Sequence, residues 1–459
     1  MWTAILVCLV VTLSYLASRL GGALVLGPQM LSPLWPGCAL LVSVLLLTPR
    51  RIWPILIVAA FATFAFYDLR AGVPISSIVR LLLADAVEVL TAAFCLGYFF
   101  DGLPRLNSVR VLAKYSFFAV CLAPMAGACV GAFATGQNYW TNWKISFFSE
   151  ALAFLTLVPA ILGWAGTEPR GAQKTRAYYP EATALIVTLL ILGYFTFVAP
   201  ENSTTPALLY SLVPLLLWSA LRFGSSGVST SMIVIACLSI RGAIHGRGPF
   251  VGSGALGSVL SLQLFLLLAA ASFMVLAALV EERKQADKNL RESEERFRLA
   301  AQAGKMFAYE WDAATNLIVR STESAQILGI DETTELTDEQ ILAKVHPDDR
   351  ERLLAAVGEL SPEKAKLELS YRMLRPDGTV IWVERNSRAH FDEQGRMLRI
   401  VGMVADITER KRAEEELRES EEKFRSVFRD AGVGMAIVSP EGGFLAGNEA
   451  FSRFIGYTE

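Results

Sequence analysis

Ionisable side chains lie inside otherwise apolar stretches in the first half of the chain. Arg80, Asp85 and Glu88 share one stretch, and Glu150 opens another at 146–165. An ionised group in hydrocarbon is costly, so such side chains face a bundle interior and pair. One interpretation is an Arg–carboxylate pair that fixes helix packing. The other is a ligand-binding site for a small molecule, an ion or a proton, and the surplus of acids over Arg80 favours a cationic or protonatable occupant.

The chain divides into two halves of opposite character. Of its 459 residues, 1–280 hold 15 basic and 8 acidic side chains, whereas 281–459 hold 27 basic and 36 acidic ones. A basic, apolar half suits a lipid bilayer, and an acidic, charge-dense half suits water. The acidic half would repel a phosphate backbone, which excludes a nucleic-acid partner. All six cysteines lie in the apolar half without a CxxC pair, so we interpret them as small buried hydrophobes and predict no metal site.

Residues 1–280 contain ten apolar runs, most of them near the ~20 residues that cross hydrocarbon. We predict a multi-span α-helical membrane bundle with ten spans, or with eight if the second and eighth runs, which are short and contain Pro, do not cross. The first run lacks a basic n-region and further spans follow closely, so it is not a cleaved signal. The runs are at about 3–20, 31–48, 52–68, 78–100, 111–134, 146–165, 182–199, 207–222, 228–245 and 257–280.

Basic residues between the runs orient this bundle. With ten spans and the acidic half inside, nine Lys and Arg side chains fall in cytoplasmic loops and five fall outside. This bias agrees with the positive-inside rule. We therefore expect both the N-terminus and the soluble half to be cytoplasmic.

Three segments of the bundle have a distinctive order and spacing. They are Leu34-Trp35-Pro36-Gly37-Cys38-Ala39, Arg50-Arg51-Ile52-Trp53-Pro54, and Trp143 through Glu150 to Leu157-Val158-Pro159. Together they resemble the MASE-type membrane-associated sensor domain, of the first class, in bacterial signalling proteins. Gly37 departs from the family, which often has a second Pro there, and Asp68 stands near an expected Asn. The resemblance implies a sensor in the bacterial inner (plasma) membrane, with an unknown small molecule or ion as its stimulus.

A charged nine-residue segment occurs twice with one conservative difference. The segments are Leu290–Arg298 and Leu417–Arg425. Both lack Gly and Pro and place a Leu and a Phe seven residues apart on one helix face. We predict helical linkers at 281–298 and 409–425. Their thin apolar seam favours a homodimer through a parallel coiled coil, with a solvated single helix as the alternative.

Between these linkers, residues 293–411 predict an α+β domain with an antiparallel sheet and helices. His346-Pro347 opens a helix, and Gly378 and Gly395 supply positive φ in two turns. Asp331 to Asp338 is predicted as a turn. The predicted strands are Met306–Trp311, Leu317–Arg320, and about Lys366–Arg375, Thr379–His390 and Met397–Ala405.

The motifs of this domain are His346-Pro347-Asp348-Asp349-Arg350, Arg375-Pro376-Asp377-Gly378 with Trp382, and Gly402 through Asp406-Ile407-Thr408 to Lys411. In combination they resemble a PAS domain with its C-terminal PAC motif. The resemblance implies that Asp406 and Thr408 couple the core to the following helix. Both residue types are also good helix N-caps.

Aromatic side chains raise the question of a ligand in this domain. Tyr309, Trp311, Tyr371 and Trp382 could line a small pocket, or could simply pack the core. The soluble half has no Cys for a flavin adduct, and its two His residues suit a helix cap and a solvated strand end. We therefore expect no cofactor, although an unknown small ligand is compatible with the sequence.

Residues 421–459 resemble the start of a second PAS domain, and we expect the chain to be a fragment or a truncated reading frame. The 459 residues contain no catalytic signature. The favoured function is a bacterial membrane sensor that relays a stimulus to an absent output domain, either a histidine kinase of a phosphorelay or a diguanylate cyclase. The alternatives are a transporter or channel with a regulatory PAS domain and, with least support, a membrane enzyme built on Asp85, Glu88 and Glu150.

Overall fold

The computed structural model describes residues 2–26, 32–100, 102–133, 138–165, 178–199, 205–251, 254–331 and 336–456. They form two compact units, Met1–Lys288 and Asn289–Glu459. Arg170, Lys174 and Arg176, three of the nine basic residues predicted to lie in cytoplasmic loops, are outside the described residues.

The secondary-structure elements of the first unit are all helices in its described residues. Short 3-10 or π stretches precede α3, join α5 to α6, follow α8 and precede α10. Seven helical segments are long and apolar enough to cross a membrane, by length and composition. The helices are α1 (Trp2–Ala23), α2 (Gly37–Leu47), α3 (Trp53–Arg70), α4 (Ile75–Phe99), α5 (Val109–Tyr115), α6 (Ala123–Gly131), α7 (Tyr139–Ala165), α8 (Tyr178–Gly193), α9 (Thr205–Leu208), α10 (Leu212–Ile244) and α11 (Ala255–Ala303).

A tight reversal folds α10 back on itself. Gly224 has φ +65°, which is open to Gly but strained for other residues. Ser231 Oγ donates to Ser219 Oγ at 3.0 Å, although residues twelve apart in a straight helix lie about 18 Å apart. The two halves of α10 therefore pack against each other and correspond to the eighth and ninth predicted runs.

The seven segments differ from the ten predicted spans for physical reasons. One of the seven segments contains α10, which covers two predicted runs, one on each side of Gly224. Helix α2 has only 11 residues, and α4 carries Arg80, Asp85 and Glu88. All ten predicted runs contain helix, and the number of membrane crossings stays a prediction.

Helix α7 is the most buried of the seven spans. Apolar side chains along α7 have neighbours on most sides of the helix. Three of them, Leu152, Phe154 and Val158, are fully buried. Tyr115 is also fully buried, and its hydroxyl donates to the Phe154 carbonyl at 2.6 Å. This central position explains why Glu150, near the middle of α7, is removed from solvent.

The second unit contains a six-stranded antiparallel sheet with strand order β3-β2-β1-β6-β5-β4. The predicted fold class is confirmed, and each of the five predicted strands ends within one residue of the observed bounds. The strands are β1 (Met306–Asp312), β2 (Leu317–Arg320), β3 (Leu336–Thr337), β4 (Lys366–Leu374), β5 (Val380–Phe391) and β6 (Met397–Asp406).

Local chemistry accounts for much of this domain. Gly378 and Gly395 adopt φ of +84° and +77° in the two turns, as predicted. His346 caps a helix, since its Nδ1 accepts from the Asp348 backbone N–H at 3.4 Å. One prediction was wrong: Leu336 and Thr337, assigned to a turn, form the edge strand β3 and pair with β2. Residues 332–335 of that turn lie outside the described residues.

Helices and a short hairpin complete the second unit. The helices are α12 (Glu323–Leu328), α13 (Asp338–Lys344), α14 (Pro347–Gly358), α15 (Thr408–Asp430) and α16 (Glu449–Ile455), and the hairpin pairs β7 (Ala436–Val438) with β8 (Phe444–Gly447). Helix α15 contains the second repeat, and α11 contains the first.

Candidate functional site

Three buried side chains from different helices converge inside the membrane unit. Cys38 of α2, Glu88 of α4 and Glu150 of α7 are 0%, 3% and 9% exposed. The Cys38 sulfur and one carboxylate oxygen from each of Glu88 and Glu150 all lie within 4.8 Å of one another. We call Cys38, Glu88 and Glu150 the buried acid–thiol cluster.

Close helix packing encloses this cluster. Gly127 of α6 faces Glu88, and a Cβ at Gly127 would lie 2.7 Å from Glu88 Oε2. Only a glycine therefore lets α6 approach Glu88 this closely. Pro36 precedes α2, so Cys38 falls in the first turn of that helix.

The acids of the cluster lack a cationic partner in the described part of the chain. Glu88 Oε1 and Glu150 Oε2 are buried and have no hydrogen-bond partner there. Asp85 is half-buried and lies close enough to Cys38, Glu88 and Glu150 to interact with them electrostatically. The structure thus brings Asp85, Glu88 and Glu150 together, as the sequence suggested, and adds Cys38.

Arg80 is directed elsewhere. Its guanidinium donates to the Phe133 carbonyl at 2.9 Å and to the Ser76 carbonyl at 3.0 Å. Arg80 therefore neutralises neither Glu88 nor Glu150, and the predicted Arg–carboxylate pair is not formed. Cys38 escaped sequence reasoning because its partners lie far along the chain, although it belongs to the Trp-Pro-Gly-Cys segment.

A cavity of about 80 Å³ lies in the PAS-like domain. Tyr309, Trp311 and Tyr371 line it, as predicted. Trp382 does not: it pairs with Arg372 in the neighbouring strand, while Tyr371 pairs with Val383. Since side chains alternate along a strand, Trp382 lies on the opposite face of the sheet.

Charged residues that the sequence did not single out also line this cavity. Arg385 Nε donates to the Tyr309 hydroxyl at 2.5 Å and to Ser387 Oγ at 3.2 Å. Burial raises the pKa of Tyr371 to about 12, so this phenol stays neutral at physiological pH. Arg320 and Asp338 complete the polar lining. The space is sufficient for a few waters or a small ligand. The expectation that the domain binds no cofactor stays a prediction.

A network of hydrogen bonds joins Asp406 and Thr408 to the core of the domain. Thr408 Oγ1 accepts from the Trp382 backbone N–H at 3.0 Å. Asp406 Oδ1 accepts from the Thr408 N–H at 2.9 Å, and Asp406 Oδ2 lies 3.5 Å from Arg375. The start of α15 is therefore tied to strand β5 and to the turn between β4 and β5.

The same junction includes the segment that enters the sheet. Lys305, which follows α11, accepts a hydrogen bond from the Asp406 N–H at 2.9 Å through its carbonyl. Its Nζ lies 2.7 Å from Glu409 Oε1 in α15. We call Lys305, Asp406, Thr408 and Glu409 the helix junction, because the entering and leaving helices meet there.

The first unit matches a known family. The family model described as MASE1 matches residues 5–284, more than half of the chain. The chain belongs to the MASE1 family. The model described as PAS fold matches residues 317–404 of this MASE1 protein. With its apolar helices and PAS domain, it is a multi-pass membrane protein that acts as a sensor in signal transduction.

Two curated relatives of this MASE1 protein are named as sensors. "Sensor protein FixL" of Bradyrhizobium diazoefficiens is 25% identical over 165 residues, which are 36% of this chain and 33% of that protein. "Two-component sensor PprA" of Pseudomonas aeruginosa is 30% identical over 111 residues, which are 24% of this chain and 12% of that protein. The chain thus spans a third or less of these relatives.

Among solved structures, a "Sensory Box Histidine Kinase/Response Regulator" from Burkholderia thailandensis is 30% identical. The match covers 28% of this chain and 98% of that chain, with a TM-score of 0.26.

Proposed function

We propose that this MASE1 protein is the sensory part of a bacterial inner-membrane signalling protein with cytoplasmic PAS domains. The membrane bundle detects a small molecule or an ion, and the PAS domain relays this input or adds its own. Helix α15 then passes the change to an output domain. A histidine kinase is the favoured output, since one relative is named a two-component sensor, and a diguanylate cyclase is the alternative.

The helix junction is the observation that carries this proposal. The PAS core reaches α15 through the Trp382–Thr408 hydrogen bond and the Arg375–Asp406 ion pair. Asp406 and Glu409 also bind Lys305, two residues after the end of α11. A shift of the sheet or of α11 therefore changes how α15 begins.

Exposed seams on both linker helices support a homodimer. In α15, apolar or small residues recur at alternating intervals of four and three: Ala413, Leu417, Ser420, Phe424 and Val427, all exposed in the single chain. The same spacing and residue types recur in α11 at Ala286, Leu290, Ser293 and Phe297. This heptad pattern is typical of a two-stranded coiled coil. The bias of basic residues and the acidic soluble half support a cytoplasmic PAS domain.

Substitutions at the junction test the relay in the intact protein with its output domain. Thr408→Val removes the acceptor for the Trp382 N–H while keeping the side-chain shape, whereas Thr408→Ser keeps the hydroxyl. We expect Thr408→Val and Asp406→Asn to change basal output severalfold and Thr408→Ser to resemble the wild type. The readout is autophosphorylation, or cyclic-di-GMP synthesis if the output is a cyclase. Wild-type output in both Thr408→Val and Asp406→Asn would refute relay through this junction.

A further inference from the structure

We propose that the buried acid–thiol cluster binds a divalent transition-metal ion, with zinc as the ion that its donors fit best. The ion would lie between α2, α4 and α7 in the membrane unit. This inference rests on the proposed sensory role, since it names the class of ion that the bundle takes. Metal binding itself is measured separately from signalling.

The geometry of the cluster suits an ion without large movements. With all three donor atoms within 4.8 Å of one another, a central point lies within about 2.8 Å of each, and zinc bonds to sulfur and oxygen at about 2.0–2.3 Å. Each donor needs to approach by roughly half an ångström or slightly more. Side-chain rotation of Cys38, Glu88 and Glu150 provides this, because the three groups already converge.

The charges of the cluster require a compensating group. Two buried carboxyl groups each keep an oxygen without a hydrogen-bond partner among the described residues. Arg80, the basic residue on α4, bonds to the Phe133 carbonyl instead. An uncompensated buried charge is strongly destabilising, so the site needs a proton or a metal cation.

The presence of the Cys38 thiol favours a metal cation over a proton as the occupant of the site. Two carboxyl groups that share a proton need no sulfur, whereas a Cys, Glu and Glu set matches the mixed sulfur and oxygen ligands of zinc. On binding, the Cys38 thiol loses its proton and the sulfur lone pair forms the bond to the ion. That proton is released to water. Three protein ligands leave a fourth position for water.

The test uses the full chain in lipid nanodiscs, stripped of metal with a chelator and then titrated with zinc against a competing chromophoric chelator. We expect one zinc per chain. We expect Cys38→Ser, Glu88→Gln and Glu150→Gln each to weaken binding by more than about 100-fold, because the loss of groups outside the ligand set alone costs about 10- to 100-fold. Cys95→Ser is the matched control, since Cys95 is also buried but lies outside the cluster.

Cobalt provides a second readout that does not depend on affinity. A thiolate-to-cobalt charge-transfer band is expected in the wild type and in Cys95→Ser, and is expected to be absent in Cys38→Ser. Failure to bind zinc, or zinc binding that survives all three cluster substitutions, would overturn the proposal and leave a shared proton as the occupant. Output measured on the same variants is a separate result: zinc binding without any effect on output supports the site and refutes only its role as the stimulus.

Discussion

The proposed coiled-coil seam of α15 contains Leu417, whose contribution to homodimer stability can be calculated from its exposed area. In the single chain this side chain is 63% exposed, on an otherwise charged helix. If two copies of α15 pair, each Leu417 enters the seam together with Phe424 and Val427, which are 55% and 63% exposed. We therefore predict that Leu417→Ala weakens the homodimer.

The size of this effect follows from the area that Leu417 exposes. Full burial of a Leu side chain contributes about 1.5–3 kcal/mol, and Leu417 still has somewhat more than half of its surface to bury. That share amounts to about 1–2 kcal/mol per chain, and because the Ala variant still buries its Cβ, each chain loses about 1–1.5 kcal/mol and the pair loses about 2–3 kcal/mol. This corresponds to a dimer dissociation constant raised by roughly 30- to 150-fold.

Sedimentation velocity of the full chain in density-matched detergent, over a range of protein concentrations, measures this constant. Arg418→Ala is the matched control, because Arg418 is off the seam and pairs within its own helix with Glu415 and Glu422. Such surface pairs contribute about 0–1 kcal/mol. Equal dissociation constants for wild type and Leu417→Ala, or a monomeric wild type at every concentration, would refute the seam.

Two further predictions concern single residues in each unit. Asp349→Asn should destabilise the PAS domain by about 1–2 kcal/mol near neutral pH, because Asp349 accepts from the Arg372 N–H at 2.8 Å and from its Nε at 3.0 Å. The Arg372 hydrogen bonds lower the pKa of Asp349, so this stabilisation is present above pH of about 4 and is lost as pH falls through the folded-state value. Hydrogen exchange of β4 at pH 7 and pH 3 measures both effects, and an Asn variant as acid-sensitive as the wild type would contradict this reasoning. Gly127→Ala should weaken zinc binding by about tenfold or more, since its Cβ would lie 2.9 Å from Glu88 Cβ, whereas Gly131→Ala, with its nearest contact at 3.4 Å, is the control. Equal zinc affinity for the two variants would show that Glu88 does not depend on this packing.

The PAS domain was largely predictable because its signals are local. Strand alternation and the turn glycines placed five strands to within one residue, and Gly378 and Gly395 have the expected positive φ. Edge strand β3 was missed because two residues cannot display a period. Trp382 does not line the cavity with the other three aromatic residues, because its side of the sheet depends on the register between β4 and β5, which composition does not show.

The membrane site was predictable only in part. Charged residues in apolar helices are easily recognised in a sequence, so Asp85, Glu88 and Glu150 are predictable. Cys38 is not, because a buried thiol in an apolar helix resembles any small hydrophobe until its neighbours are known. Arg80 was grouped with the acids by sequence proximity, whereas its long side chain reaches the Phe133 carbonyl.

We propose that the membrane bundle controls the soluble domains through the continuous helix α11, Ala255–Ala303. The most direct test is to insert four glycines after Glu282 in the intact protein, since each costs about 1 kcal/mol in a helix and interrupts rigid transmission. A seven-residue insertion that duplicates residues 283–289 preserves the helix and the heptad phase and is the control. Output is measured under conditions in which the wild type responds. We expect the glycine variant to lose the response and the heptad variant to keep it, and an undiminished response in the glycine variant would contradict transmission through α11.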